Sequence, residues 1–216
     1  MNTSASLSRR RILQAGAATA ALAAPGLLHP VSGALAYSGG QSRLGGQMAI
    51  DEINAAGGIK SMGGAKLEAL LGDSQSRPEV GVSEVERMQQ DGVAAYVGCF
   101  ASAIALPATQ AAAKYNTPFL IDVGVSDAIV SRGLKNVFRL APGNGKCVDD
   151  AFAGLSEVNK AAGSPAKTAV IVHEDSEFGT STAKLLSAKL SGIGLEVKEV
   201  LPHARPSAAH CCTETP

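Results

Sequence analysis

Short apolar runs alternate with longer amphipathic segments along most of the chain. The clearest example begins at residues 93–98, an apolar run typical of a buried strand in a parallel sheet. A turn at residues 99–102 follows, and then a predicted helix at 103–115 that is rich in small apolar residues. Thr117 and Pro118 end this helix before the next strand, because the residue before a proline disfavours helical backbone.

The same alternation extends over the rest of the chain and predicts the fold class. Strands are predicted at residues 66–71, 93–98, 119–121, 137–140, 167–173 and 195–201. Helices are predicted at residues 42–55, 78–90, 103–115, 147–161 and 178–191, with a glycine-rich loop at 37–41 before the first of them. Strands that alternate with helices favour a mostly parallel sheet with right-handed crossovers. We therefore predict an α/β fold.

A turn-forming sequence, PGNG at residues 142–145, interrupts this pattern before it starts again. It predicts a boundary between a first lobe at residues 27–142 and a partial second lobe at 143–204. Residues 205–216 differ in character, since they have no apolar period. A last strand with no element after it leaves the second lobe with few strands and an open edge, so the sequence predicts a truncated second lobe.

The carboxyl ends of the predicted strands are where we expect a ligand, because helix N-termini present unpaired N–H groups at that edge of a parallel sheet. Ser102 begins a predicted helix there, and its hydroxyl and the following N–H groups suit a carboxylate. Pro107 cannot donate a helical hydrogen bond, so we expect an irregular first turn with free N–H groups. Val123 and Val125 follow the next strand and offer backbone groups beside apolar walls. Simple helix capping by Ser102 and a simple strand exit at Val123 are the alternatives.

Composition and charge narrow the range of partners. The chain has 216 residues, of which 45% are hydrophobic, enough for one globular domain. Its formal net charge is zero, and the three arginines within residues 1–36 leave 16 basic and 19 acidic groups in the remainder. Nucleic-acid binding needs a basic surface, so we expect no nucleic-acid partner.

The N-terminus is typical of an export signal. Three arginines at residues 9–11 precede a short, weakly apolar, alanine-rich run at 15–24. Paired arginines indicate the twin-arginine type, which assigns residues 1–26 to the signal and the mature chain to the periplasm. Small residues fit cleavage after Ala23 or after Ala36. A disordered basic tail is the alternative, and a membrane anchor is disfavoured because the apolar run is short.

Motifs for cofactors, metals and catalysis are missing from the sequence. No dinucleotide-binding glycine motif, complete phosphate loop or nucleophile elbow occurs. Cysteines 99, 147, 211 and 212 lack metal-binding spacing and permit three pairings; we expect two buried free thiols, Cys99 and Cys147, and an odd tail. His173 ends a predicted strand beside Glu174, which leaves an α/β enzyme using His173 in acid/base chemistry as the alternative function.

Several stretches, taken in order, resemble a known family. They read HPVSGALAYSGGQ at residues 29–41, AIDEINAAGGI at 49–59, GDSQSRPEV at 72–80, YVGCFASAIALPATQAAAKYNTPFL at 96–120 and AVIVHEDSEFG at 169–179. From residue 28 to residue 204 the chain resembles the periplasmic substrate-binding proteins of branched-chain amino acid ABC importers. The resemblance implies a type I periplasmic binding fold, a two-lobed clamshell whose first lobe has three αβα layers.

The resemblance also implies a function. Members of this family capture a small amino acid, amide or related acid between their lobes and deliver it to a membrane permease, as monomers without a cofactor or enzyme activity. It implies that Ser102 holds the ligand carboxylate, and that the groups at Val123 and Val125 hold the carboxylate and the ammonium. Phe178 matches an aromatic residue of the second lobe.

Departures from the family pattern qualify this expectation. Ser38 stands where the family usually has an aromatic residue, for which neighbouring Tyr37 substitutes. Val125 stands where a hydroxyl residue is usual, which favours a less polar acid or amide. The signal runs almost directly into residues 26–29, which predicts a truncated first strand.

Family members are also considerably longer, and their acidic and aromatic second-lobe contacts would lie beyond residue 204. A non-functional fragment, produced by a frameshift near residues 203–205, is a further interpretation. We expect weak or no binding by one lobe, because each solvent-exposed hydrogen bond contributes only about 0.5–1.5 kcal/mol net.

Overall fold

The computed structural model describes residues 24–204. The predicted twin-arginine motif and the tail at 205–216, with Cys211 and Cys212, lie outside the described residues. The strands are β1 (Pro25–His29), β2 (Leu70–Asp73), β3 (Ala95–Gly98), β4 (Phe119–Ile121), β5 (Val137–Arg139), β6 (Thr168–Glu174) and β7 (Glu196–His203). The helices are α1 (Ala36–Ala55), α2 (Pro78–Gln90), α3 (Ser102–Ala113), α4 (Ala128–Ser131), α5 (Asn144–Ala161) and α6 (Glu177–Leu190), with 3₁₀ turns at Lys60–Met62 and Ser191–Ile193.

The strands form two separate parallel sheets. Five strands pair in the order β2-β1-β3-β4-β5, and β6 pairs with β7 in a second sheet. Helices connect the strands in both, as parallel pairing requires a crossover. The predicted α/β fold with a parallel sheet is confirmed.

The first strand is intact, and the prediction that it is truncated was wrong. β1 has five residues and lies inside the sheet, where it pairs with β2 on one side and β3 on the other. Leu27 and Leu28 are 1% and 0% exposed. Pro25 is tolerated because a proline at the first residue of a strand removes no essential ladder bond. Pro25 and Gly26 therefore belong to β1, although the sequence assigned them to the signal.

The glycine-rich segment at residues 37–41 is helical, whereas the sequence predicted a loop. It forms the first turns of α1, which begins at Ala36 instead of residue 42. Gly39 explains the difference, because a Cβ built there would lie 2.0 Å from the carbonyl oxygen of Pro30. The helix therefore packs directly on the backbone that follows β1, and only glycine permits this distance.

The second strand begins four residues later than predicted. The Asn54 side chain at the end of α1 both donates to and accepts from the backbone of Leu67, each at 2.8 Å. A β-bridge between Ile59 and Ala65 closes the connection further upstream. These bonds hold the apolar residues before Leu70 in a connector, so the strand forms only from Leu70 onward.

The main core lies between the five-stranded sheet and the adjacent pair α2 and α3. The stacked rings of Tyr96 and Phe119 stand at its centre, with ring centroids 5.1 Å apart. The hydroxyl of Tyr96 donates to the carbonyl of Val85 at 2.7 Å, which satisfies a buried polar group. Residues of this core are Leu28, Val85, Met88, Val93, Tyr96, Cys99, Ile104, Ala105, Ala108, Ala111, Ala112, Phe119, Ile121, Ile129 and Val137.

A smaller core lies between the two-stranded sheet and helices α5 and α6. Its buried residues are Val148, Phe152, Ile171, Ala183, Leu190 and Leu195. Cys147 is exposed on α5, which corrects the prediction that both described cysteines are buried. Val148 and Phe152 are one turn apart and face this core, so their neighbour Cys147 faces solvent. Between residues 24 and 204, no helix has the length and apolar character needed to cross a membrane.

Two adjacent glycines in α1 provide a matched test of this packing. Gly39→Ala should lower the free energy of unfolding by about 1–3 kcal/mol, because the methyl group collides with the Pro30 backbone. A Cβ at Gly40 meets nothing within 4 Å. Gly40→Ala should therefore raise the free energy of unfolding by about 0.5–1 kcal/mol, because alanine favours the helix more than glycine does. Urea denaturation of both variants measures the difference. A neutral or stabilising Gly39→Ala would contradict the close approach.

Candidate ligand-binding site

A cleft of about 390 Å³ opens between the carboxyl edge of the five-stranded sheet and the connection from β6 to α6. The residues that line it are Leu35, Phe100, Ala101, Ser102, Ala103, Val123, Val125, Glu174, Ser176 and Phe178. The carboxyl edge of a parallel sheet is the expected place for a ligand. We refer to this cavity as the cleft.

Four of the six residues predicted for the site lie together here: Ser102, Val123, Val125 and Phe178. Tyr37 and Ser38 are not among the lining residues, and Tyr37 is 82% exposed. Leu35, just before α1, lines the cleft in their place. The structure thus brings the four residues together, while the contacts that each makes with a ligand stay a prediction.

Ser102 is the first residue of α3, and it is buried with 3% exposure. It does not cap the helix, since Ala101 occupies the N-cap position and no side chain caps there. Its Oγ accepts a hydrogen bond from the Ser126 N–H at 3.2 Å. A hydroxyl that accepts one bond keeps its own proton, so Ser102 can still donate.

The first turn of α3 is regular, contrary to the expectation based on Pro107. The N–H groups of Ile104 and Ala105 both donate to the Ala101 carbonyl, at 3.1 and 2.9 Å. The N–H groups of Ser102 and Ala103 come before them and have no acceptor within the helix, as at any helix N-terminus. The donors expected at this edge are therefore present because the helix begins here, and Pro107 lies further along it.

The loop after β4 carries Val123 and Val125, and backbone bonds hold it against the loop after β3. The Asp122 N–H donates to Gly98 at 3.3 Å, and the Gly124 N–H donates to Cys99 at 3.2 Å. Burial, and then the nearby charge of Asp122, raises the pKa of the Cys99 thiol well above its usual value. Cys99 is therefore an uncharged core residue at the base of the loop.

A buried histidine adds a side-chain contact to the same loop. Nε2 of His29, at the end of β1, lies 2.7 Å from Oδ2 of Asp122. His29 is fully buried, and no described residue pairs with its Nδ1. This contact was not predicted, because 93 residues separate its partners and no local pattern links them.

A second network fixes the continuation of the loop to the start of α5. The guanidinium of Arg139 donates to the carbonyls of Val125 and Ser126 at 3.0 and 2.9 Å. It also contacts Asp127, whose other carboxylate oxygen accepts from the Gly145 N–H at 2.8 Å. The cleft loop and the chain that leaves the five-stranded sheet are therefore held as one unit.

Ser126 also connects the two sides of the cleft. Its N–H donates to Ser102, and its hydroxyl donates to Oε1 of Glu177 in α6 at 2.9 Å. On the α6 side, Ser176 caps the helix and donates to the Glu174 carboxylate. Ser126 and Glu177 were not identified from the sequence, which carries no local signal for a contact across 51 positions.

The segment 30–35, which brings Leu35 to the cleft, depends on Asp73 at the end of β2. The Asp73 carboxylate accepts from the Ser32 hydroxyl at 2.6 Å and from the N–H groups of Val31, Ser32 and Gln75. Burial by itself raises the pKa of Asp73, but these hydrogen bonds outweigh it and hold the pKa below its usual value.

The cleft offers hydrogen-bond donors for one carboxylate and has no cationic side chain in its lining. Its lining residues include three polar side chains and no lysine, arginine or histidine. Among residues 24–204, no cluster of three or more His, Cys, Asp or Glu side chains could hold a metal ion. Helix N–H groups and the Ser102 hydroxyl are the groups that suit a carboxylate.

Comparison with known proteins identifies the family. A profile of the family described as periplasmic binding protein matches residues 26–210. The chain belongs to the periplasmic binding protein family. It is also 33% identical over 197 residues to Leu/Ile/Val-binding protein homolog 8 of Brucella suis, which confirms the predicted resemblance to branched-chain amino acid binding proteins. This is a family of binding proteins and not of enzymes, so the acid/base role considered for His173 is set aside.

Solved structures share the fold at low sequence identity. LivJ of Streptococcus pneumoniae, in complex with isoleucine, has a TM-score of 0.70 at 24% identity. The leucine-binding protein LivK of Thermotoga maritima has a TM-score of 0.72 at 19% identity. A solute-binding protein of Rhodopseudomonas palustris, in complex with 3,4-dihydroxybenzoic acid, has a TM-score of 0.68 at 18% identity.

The match covers most of this chain but only half of each relative. It spans 88% of this chain and 48% of the Brucella protein. For LivJ and LivK the shares are 85% of this chain and 50% and 49% of theirs. The chain therefore spans about half the length of the relatives that it matches.

The Asp73 network predicts a pH-dependent contribution to stability. Asp73→Asn should lower the free energy of unfolding at pH 7 by about 1–3 kcal/mol, because several backbone donors lose a charged acceptor. Since folding lowers the pKa of Asp73, its stabilisation is complete above the unfolded pKa of about 3.9 and is lost as the pH falls through the folded value.

Urea denaturation at pH 7 and at pH 3 measures this effect. The difference between wild type and Asp73→Asn should shrink at pH 3. Asp150→Asn is the control, because Asp150 pairs with Lys146 on the exposed surface of α5 and should leave the midpoint nearly unchanged at either pH. An Asp73→Asn effect that is independent of pH would contradict the assignment.

Proposed function

We propose that this chain is the solute-binding component of an ABC importer and captures a small carboxylate in the cleft. One observation carries the proposal: Ser102 and the first N–H groups of α3 lie in the cleft beside Val123, Val125 and Phe178. Membership of the periplasmic binding protein family supports it. The ligands in the names of the similar structures, isoleucine and 3,4-dihydroxybenzoic acid, share a carboxylate.

The proposed binding step uses few polar groups. The ligand carboxylate accepts from the Ser102 hydroxyl and from the N–H groups of Ser102 and Ala103, where the helix dipole favours negative charge. Val123 and Val125 form the apolar wall on the same side, and Phe178 covers the ligand from α6. Tyr37 and Ser38 are not part of the proposal, because they lie outside the cleft lining.

The two sheets correspond, in this proposal, to two lobes at residues 27–142 and 143–204. Closure of one lobe over the other excludes water and strengthens each polar contact. The loaded protein, a monomer, then delivers the solute to a membrane permease. Export to the periplasm uses the twin-arginine-like signal. We place cleavage after Ala23 and not after Ala36, because the later site would remove β1 from the sheet.

The affinity of this chain for its solute should be weak. Within the described residues, only Glu174, Ser176 and Phe178 reach the cleft from the side of the two-stranded sheet. Polar contacts that stay wet contribute only about 0.5–1.5 kcal/mol each, which corresponds to millimolar affinity for two or three of them with apolar contacts.

Calorimetric titration of the full chain tests both the weak affinity and the carboxylate contact at Ser102. Leucine and its ammonium-free analogue 4-methylpentanoate should bind with millimolar or weaker affinity. Ser102→Ala should weaken the tighter of the two by about tenfold, because a hydrogen bond to a charged group is lost. Ser83→Ala is the matched control, since Ser83 lies exposed on α2 and only bonds its own helix.

Two results would contradict the proposal. Micromolar leucine binding would show that the described cleft is already complete. If the Ser102→Ala variant bound every acid with unchanged affinity, Ser102 would not hold the carboxylate.

A further inference from the structure

The cleft is mostly apolar, and two of its lining residues are aromatic. Seven of its ten lining residues are Leu, Val, Ala or Phe. Phe100 follows β3 on the side of the five-stranded sheet, and Phe178 lies in the first turn of α6 on the other side. The family resemblance singled out Phe178 but gave no role to Phe100.

Phe100 and Phe178 do not form a stacked aromatic pair within residues 24–204. Among residues 24–204, the stacked aromatic pair is that of Tyr96 and Phe119 in the core. Phe178 is 44% exposed, and Phe100 is partly buried. Aromatic rings stack or pack edge to face at centroid separations of about 4.5–7 Å. A planar ligand ring in the cleft therefore has two phenylalanines among the lining residues as partners.

The loop at Val125 disfavours a ligand with an α-ammonium group. The Val125 side chain has no acceptor, and its carbonyl already accepts two hydrogen bonds, from the Asn144 N–H at 2.8 Å and from Arg139 at 3.0 Å. A carbonyl oxygen has two lone pairs, so this acceptor is saturated. An ammonium group beside Ser102 would therefore be desolvated without a partner from Val125, which is costly.

The charges around the cleft disfavour a second negative charge on the ligand. Glu174 is the one titratable residue among those that line it, and no lining residue is cationic. Glu177 nearby accepts from Ser126 and adds a second acidic group on the α6 side. A dicarboxylate would meet these acids at its far end, whereas a monocarboxylate presents only an apolar group to them.

We infer that the cleft takes an aromatic monocarboxylic acid without an α-ammonium group in preference to an aliphatic amino acid, with its ring between Phe100 and Phe178. This inference rests on the proposed function, since it assumes that the carboxylate lies at Ser102. The saturated Val125 carbonyl offers no acceptor to an ammonium group beside Ser102, and the two phenylalanines select the ring.

Matched ligands separate the two parts of this inference. We would titrate the full chain by ligand-observed NMR, which measures millimolar affinities, with 3-phenylpropanoate, phenylalanine, 3-cyclohexylpropanoate and leucine. Phenylalanine differs from 3-phenylpropanoate by its ammonium group, and 3-cyclohexylpropanoate differs by its loss of aromaticity. We expect 3-phenylpropanoate to bind about tenfold tighter than phenylalanine and about threefold tighter than 3-cyclohexylpropanoate.

Variants of the two phenylalanines test whether they contact the ring of the ligand. Phe100→Leu and Phe178→Leu should each weaken 3-phenylpropanoate by about threefold and leave 3-cyclohexylpropanoate nearly unchanged. Phe178 is substantially exposed, so its variant tests the contact even if Phe100→Leu fails to fold. Phe138→Leu is the control, because Phe138 is 56% exposed on β5 and does not line the cleft.

The outcomes distinguish this inference from the proposed function. Leucine or phenylalanine binding as tightly as 3-phenylpropanoate would overturn the inference and leave carboxylate capture standing. Equal affinity for 3-phenylpropanoate and 3-cyclohexylpropanoate would show that the cleft does not select an aromatic ring. Failure of every acid to bind would overturn both.

Discussion

The cleft depends on how the loop after β4 is held at the carboxyl edge of the five-stranded sheet. Backbone bonds to Gly98 and Cys99 fix its start, and Arg139 fixes its end by donating to the carbonyls of Val125 and Ser126. The same residues determine the chemistry of the site. Because Arg139 and the Asn144 N–H use both lone pairs of Val125, the bonds that hold the loop also remove an acceptor from the cleft.

The contact between Ser126 and Glu177 relates the two sheets to each other. Ser126 bonds Ser102 through its N–H and Glu177 through its hydroxyl, so the residue proposed to hold a carboxylate is one step from α6. A ligand that binds Ser102 would therefore act on the network that joins the two sides of the cleft. In the proposed function, this network is the physical route from capture of the solute to closure of the two lobes.

The sequence predicted much of the fold because local signals agreed with tertiary packing. Helix α2 was predicted at residues 78–90 and has these bounds, since Pro78 suits the first helical turn and its apolar residues repeat at helical spacing. Ser102 was predicted to lie at the start of a helix, at the carboxyl edge of the sheet, and it is the first residue of α3. Features that depend on distant residues were missed, such as the early start of α1, which requires Gly39 to pack on Pro30. The links from Ser126 to Glu177 and from His29 to Asp122 join separate elements and leave no periodic signal.

Amide chemical-shift mapping of the ¹⁵N-labelled full chain tests the central claim most directly. On addition of 3-phenylpropanoate, the largest shifts should occur at the amides of Ser102, Ala103 and residues 123–126, because the carboxylate accepts at the start of α3 and the loop packs beside it. Small shifts spread over the whole surface would contradict the account. So would shifts centred on His173 and His203, which line a neighbouring hollow beside β6 and α6 and do not line the cleft.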